Sequence, residues 1–108
     1  MTDFMPEGTK LGPIGDEVVF ENEHVRVWKL VLEPGETQDW HQHFLDYLVV
    51  PIQISDNVMI FADGRENPTT EVPGDALWRT AGAPHKLVNR GKVSYRNVLV
   101  EIKAGKQG

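Results

Sequence analysis

At 108 residues the chain has room for one domain around a single core, and its 40 % hydrophobic and 25 % charged residues are the balance of an ordinary globular protein. Eleven Lys and Arg against sixteen Asp and Glu give a net charge of −5 with no basic run, which argues against nucleic acid or an anionic membrane as partner. Cysteine is absent, which excludes disulfides and thiolate ligands; the first twenty residues hold no basic start followed by an apolar stretch, and a cytoplasmic protein with no membrane span is expected.

Met1 to Asp16, with two prolines, three glycines and little periodicity, reads as an extended arm (residues 1–16) ahead of a domain over residues 17–108. From Val18 the chain alternates. In His24 to Leu32, Val25, Val27 and Val31 share one face and Arg26, Trp28, Leu30 and Leu32 the other. Both faces are partly apolar, as in a sandwich whose outer sheet is covered. Pro34-Gly35 ends that strand, and two more are expected at Asp39 to His43 and Leu45 to Ile54. Ser55-Asp56-Asn57 turns the chain into Val58 to Ala62, and Asp63-Gly64 closes a hairpin. Strands then follow at Thr69 to Val72, Ala76 to Arg79, His85 to Val88 and Val93 to Ile102, separated by turns at Pro73-Gly74-Asp75 and Arg90-Gly91. No twelve-residue helical pattern occurs. Short strands at regular spacing with turn signals mean an all-β sandwich or barrel.

Three of the four histidines fall in two glycine-marked stretches, Gly35 to His43 and Gly74 to Asn89. On a strand, residues i and i+2 share a face roughly 6.6 Å apart, so His41 and His43 can converge on one ion, with His85 arriving from another strand. Neutral imidazole suits zinc, copper, iron and nickel alike.

Those stretches resemble the paired motifs of the cupin superfamily. Gly35, His41 and His43 fit the first motif, and Gly74, Gly82, His85 and Asn89 the second, with Thr80 in place of a proline. The glutamate position of the first motif holds Tyr47 or Leu48, with Asp46 one residue early, and Ile54 replaces its closing glycine. Within the superfamily, Glu21-Asn22-Glu23, Val25-Arg26-Val27, Pro34-Gly35, Trp40-His41 and Asp46 to Pro51 resemble small single-domain cupins linked to beta-alanine degradation, over about residues 20 to 102. The resemblance implies a double-stranded β-helix, the cupin jelly-roll barrel, as a single domain. It also implies a site of three histidines and one carboxylate, and an arm of the kind that pairs with a neighbouring subunit. A homodimer is the expected assembly.

Asp46 stands as fourth ligand, as the acceptor that orients a ligand imidazole, or as a solvated turn residue. Tyr47 either points into the barrel toward a metal-held molecule or packs in the core. Arg79 and Arg96 are candidates to clamp a carboxylate, against the alternative of solvated strand residues. His24 lies outside both motifs on the face of Arg26 and is set aside as a ligand, Gln38 reads as a surface amide, Trp28, Trp40 and Trp78 mainly as core mass, Asn89 as a turn-forming residue, and Gly35, Gly74 and Gly82 as turns needing unusual backbone angles. Three neutral donors leave open coordination positions, the condition for catalysis. The expected function is a metal-dependent enzyme of the iron(II) dioxygenase type acting on a small organic acid or dicarbonyl, with Tyr47 and Arg79 as its catalytic side chains. Redox-independent isomerase or lyase chemistry with zinc, nickel or manganese, and a small-molecule binding module, are the alternatives.

Overall fold

The computed structural model describes residues 4–103; the first three residues of the arm and residues 104–108 of the domain lie outside it. Among the described residues there are nine strands and no helix: β1 (Glu17–Glu21), β2 (Val25–Leu32), β3 (Thr37–His41), β4 (Tyr47–Gln53), β5 (Asn57–Phe61), β6 (Glu66–Pro68), β7 (Leu77–Arg79), β8 (His85–Asn89) and β9 (Tyr95–Ile102). They form two antiparallel sheets, one in the order β1-β2-β9-β4-β7 and the other β3-β8-β5-β6. Packed face to face, these are the double-stranded β-helix that the motifs implied.

Register follows from alternation. Strand β2 pairs with β9 without irregularity from Val25↔Ile102 to Leu32↔Tyr95, and β9 pairs on its other edge with β4. The branched face of β2 (Val25, Val27, Val31) points outward, and Arg26, Trp28, Leu30 and Leu32 point inward beside Glu101, Leu99, Asn97 and Tyr95. The core lies between the sheets in two adjoining clusters. Leu30, Leu32, Leu87 and Tyr95 form one with Met59, while Tyr47, Val49 and Leu99 form the other with Trp28 and Leu77. At one end of the barrel the buried Glu101 accepts hydrogen bonds from Trp28 Nε1 at 2.8 Å and Arg26 Nη1 at 3.2 Å, so its charge is partnered.

Several boundaries differ from the sequence reading. The Asp63-Gly64 hairpin begins its return at once, with Gly64 at φ 88° and the Phe61 N–H bonded to the Arg65 carbonyl at 2.9 Å. The return strand is therefore β6 at Glu66–Pro68 rather than Thr69 to Val72, and its proline is tolerated because β6 is an edge. Strand β3 ends at His41, and His43 lies in the link to β4. Gly35 and Gly74 adopt φ of 86° and 89° as expected of turn glycines, but Gly82 does not have positive φ; its N–H bonds the His43 carbonyl at 3.2 Å. Trp78 is not core: it is 52 % exposed on the outer face of β7.

The arm, as far as it is described, is held by its own barrel. Met5, Gly12 and Asp16 donate backbone N–H groups to the carbonyls of Ala62, Trp40 and Lys29 at 3.0, 2.8 and 2.8 Å. Asp16 Oδ2 also accepts from the Val31 N–H at 2.8 Å, and Ile14 is buried.

Asn89 ties the two sheets together. Wholly buried, its Nδ2 donates to the carbonyls of Leu32 and Val93 at 2.9 Å each, and its Oδ1 accepts from Ser55 Oγ at 2.8 Å and Gly91 N–H at 2.9 Å. A Cβ on Gly91 would overlap Ser55 Oγ, so the turn is closed from both sides. Asn89→Ala strands the buried Leu32 carbonyl together with the part-buried Val93 carbonyl and Gly91 N–H, at about 1–3 kcal/mol for a buried group left unsatisfied and less for the others. The variant is expected to lose on the order of 3 kcal/mol in urea unfolding, whereas a loss below about 1 kcal/mol would mean that water replaces the amide.

Candidate metal centre

The ladder pairs His41 of β3 directly with His85 of β8. Two residues past the end of β3, His43 reaches the same place. Ring centroids are 4.6 Å apart for His41 and His85 and 5.3 Å for each pair that includes His43. One nitrogen from each ring falls within 4.8 Å of the others. A first-row metal at about 2.1 Å from each nitrogen needs them roughly 3.0–3.4 Å apart, so binding would draw the rings together.

The donors suit such an ion. His41 Nδ1 lies 2.8 Å from the Asp39 carbonyl, which selects the tautomer with the proton on Nδ1 and leaves Nε2 as a lone-pair donor. His43 Nδ1 is buried with no hydrogen-bond partner among the described residues, an orphaned atom that a ligand would satisfy. Burial drives all three rings toward the neutral form: the pKa of His41 is lowered, while those of His43 and His85 fall to about 3, assisted by repulsion from the neighbouring rings. Tyr47 stacks on His43 with centroids 3.8 Å apart and planes at 13°, fixing that imidazole from the β4 side.

Two connected spaces meet at the histidines. The inner one, about 50 Å³, is lined by the three histidines, Tyr47, Glu71 and Arg79, with Ile14, Leu30, Leu87 and Leu99 among its apolar walls. The outer one, about 600 Å³, shares His43, Tyr47, Arg79 and His85 and is bounded by Phe61, Arg65 and Thr69. The inner space takes an ion with a water or two, and the outer has the volume of a small-molecule site.

Asp46 is not in the histidine group. It is exposed, and its Oδ1 accepts the Ala81 N–H at 2.9 Å, tying the loop that leads to His85 to the start of β4. Among the described contacts it orients none of the three imidazoles. Tyr47 both packs in the core and borders the cavities, with burial raising its hydroxyl to about 12 against the pull of Arg79. Arg79 sits opposite Tyr47 in the β4–β7 ladder and borders both spaces. Arg96 lies exposed on the outer face of β9, because strand parity gives the inner face to its neighbours Tyr95 and Asn97. His24 is exposed beside Glu23 at 3.4 Å. Sequence reasoning missed Glu71, Tyr95, Asn97 and Ile14, and it put Gln38 at the surface although Gln38 lines the inner cavity. The alternation Tyr95, Asn97, Leu99, Glu101 was a usable signal for two of these; Glu71 follows no periodicity.

No family model and no curated protein matches the chain, but solved structures do. A cupin domain from Bordetella pertussis Tohama I superposes with a TM-score of 0.77 at 29 % identity, covering 90 % of this chain and 100 % of that one. An RmlC-like cupin with a double-stranded β-helix fold from Methanocaldococcus jannaschii gives a TM-score of 0.63 at 16 % identity, covering 94 % and 88 %. The polyketide cyclase RemF from Streptomyces resistomycificus gives 0.58 at 18 % identity, covering 76 % and 56 %. The chain therefore has the cupin double-stranded β-helix fold, with a three-histidine group that can hold a divalent metal ion.

Two outcomes follow. Replacing His41, His43 or His85 with alanine is expected to abolish most transition-metal binding while the far-ultraviolet dichroism stays β-rich; full metal content in His85→Ala would remove that residue from the site. In the metal-free protein the folded pKa of about 3 at His43 and His85 lies below the ordinary histidine value of 6.5, so the unfolded chain takes up protons that the folded chain refuses. Stability should therefore be full above pH 6.5 and fall as the pH drops toward 3, with a shallower fall in His85→Ala when urea midpoints at pH 7 and 4.5 are compared.

Proposed function

We propose that the chain is a mononuclear metal-dependent enzyme of the iron(II) dioxygenase type, acting on a small organic acid or dicarbonyl. The observation that carries the proposal is the set of three buried, neutral imidazoles, two of which (His43 and His85) line a cavity of about 600 Å³, with no carboxylate in the group. Such an ion would supply Lewis acidity and reactivity toward O₂. The protein's own residues do the rest. Arg79 borders both cavities and, among the described residues, donates only a 3.4 Å bond to the Trp78 carbonyl, leaving its fork for a substrate carboxylate. Tyr47 holds His43 by stacking and keeps its proton at any physiological pH, so its hydroxyl serves as donor to a substrate oxygen. Phe61 and Met59 keep the outer space partly apolar. The closer likeness to beta-alanine-degradation cupins rests on the residues between 20 and 102 that carry it, and it is compatible with a small acid as substrate. A chain without cysteine suits the cytoplasm, where we place it.

The redox-independent alternative, with zinc, nickel or manganese, uses the same donors, and one structural neighbour is named a cyclase. Metal analysis of untagged protein, with O₂ uptake measured on candidate acids, tests the first reading. Turnover that persists without oxygen moves the assignment to the second. A well-folded protein that takes up no transition metal overturns both.

We further propose a homodimer. Across the outer face of the five-stranded sheet, Phe20, Val27, Val100, Leu48 and Trp78 occupy successive paired positions, one from each strand. Phe20 and Trp78 at its two ends are 54 % and 52 % exposed. A continuous apolar row of this kind suits two-fold contact with a second copy. Trp78→Glu is expected to weaken association, and a concentration-independent mass near 12.2 kDa for the unaltered chain would rule the dimer out.

A further inference from the structure

Among the residues lining the inner cavity there is one carboxylate, Glu71, and neither the metal group nor the proposed substrate clamp uses it. It lies on the link between β6 and β7, away from any ladder, yet it is held in place. Tyr95 Oη donates to Glu71 Oε1 at 2.8 Å, and Asn97 Nδ2 donates to Tyr95 Oη at 2.8 Å. The chain of donors runs one way, from the barrel wall to the carboxylate. It occupies Oε1 and leaves Oε2 without a protein hydrogen bond among the described residues. Groups facing Glu71 from the packed elements are Tyr95 of β9, Arg79 of β7 and Tyr47 of β4. Burial raises the Glu71 pKa above the usual carboxylate value, opposed by the Tyr95 hydrogen bond and the Arg79 charge. On its other side Glu71 borders a surface recess with Ser55, Asp56, Thr69 and Thr70, a route by which a proton can leave for solvent.

We propose that Glu71 is the catalytic base of the site, taking a proton on Oε2 from the carbon next to the carbonyl of an oxo acid whose carboxylate Arg79 holds. The inference deepens the metal-dependent reading above and rests on it. In the step the C–H bond breaks, its electron pair forms the enolate carbon–carbon double bond, and the carbonyl π pair moves onto oxygen. The proton resides on Glu71, and no electron is gained or lost. The other titratable groups in the cavity are poorly suited: Tyr47 is held near 12, burial pushes the Tyr95 hydroxyl up as well, Arg79 is the carboxylate clamp, and the three imidazoles are committed as donors. Tyr95 acts as a positioning residue, since its hydroxyl holds Oε1 and leaves Oε2 for the proton.

The test uses the zinc-loaded protein, so that oxygen chemistry does not intrude, with pyruvate as probe in D₂O. Deuterium entering the methyl group is followed by proton NMR, and bound zinc is measured in the same samples. The unaltered protein is expected to accelerate exchange over protein-free solution at equal zinc. Glu71→Gln, at equal zinc content and unchanged melting temperature, should lose that acceleration by at least tenfold, and Glu71→Asp should recover part of it. Exchange in Glu71→Gln at the unaltered rate, or none above the blank in the unaltered protein with zinc bound, overturns the assignment of Glu71 alone. Failure of the unaltered protein to bind zinc overturns the metal reading and this inference together.

Discussion

The Tyr95, Asn97 and Leu99 wall of the site depends on the register of β9 between β2 and β4. The β2–β9 ladder runs eight residue pairs without a bulge, and it puts Tyr95, Asn97, Leu99 and Glu101 inside the barrel. Because side chains alternate with period two, a slip of one residue would replace them with Arg96, Val98, Val100 and Ile102. The polar relay toward Glu71 and the partnered Glu101 would vanish together. Hydrophobic burial specifies that register, since Leu99 belongs inside with Tyr47 and Val49, and the polar residues ride on it.

Polar groups in so small an interior are costly unless satisfied. The barrel meets this in three ways. Asn89 uses all its bonding capacity on backbone and Ser55; Glu101 is paired with the Arg26 charge and accepts the Trp28 N–H; the histidines shed their charge instead. Among the described residues three buried side-chain atoms lack a partner: His43 Nδ1, Asn57 Oδ1 and Asn97 Oδ1. Two of them belong to residues that line the inner cavity, where a ligand can reach, and the third sits on β5 opposite Asn89.

The barrel class was legible because the period-two patterns of β2, β4 and β9 are long, and the histidines because they sit inside glycine-bounded motifs. Local spacing served less well where tertiary pairing decides. Asp46 lies next to the glutamate position of the first motif, but the Ala81 N–H claims its carboxylate and it never reaches the imidazoles. Arg96 and Arg79 look equivalent in sequence; parity sends one outward, and the short β4–β7 ladder brings the other to the cavity. Glu71 was invisible because its position depends on a tyrosine 24 residues away in sequence, and no local pattern records such a partner.

Ile14 lines the inner cavity although it belongs to the arm and to no strand. One wall of the chamber is therefore built from a segment that is not part of the barrel's hydrogen-bonded frame. The depth of the chamber can change by substitution there with no effect on register, so selection could resize the site for a longer or shorter molecule while the fold and the imidazole donors stay constant. The same arrangement couples local order to reactivity: peeling of the arm would wet the chamber from behind, lowering the strength of every electrostatic contact inside it.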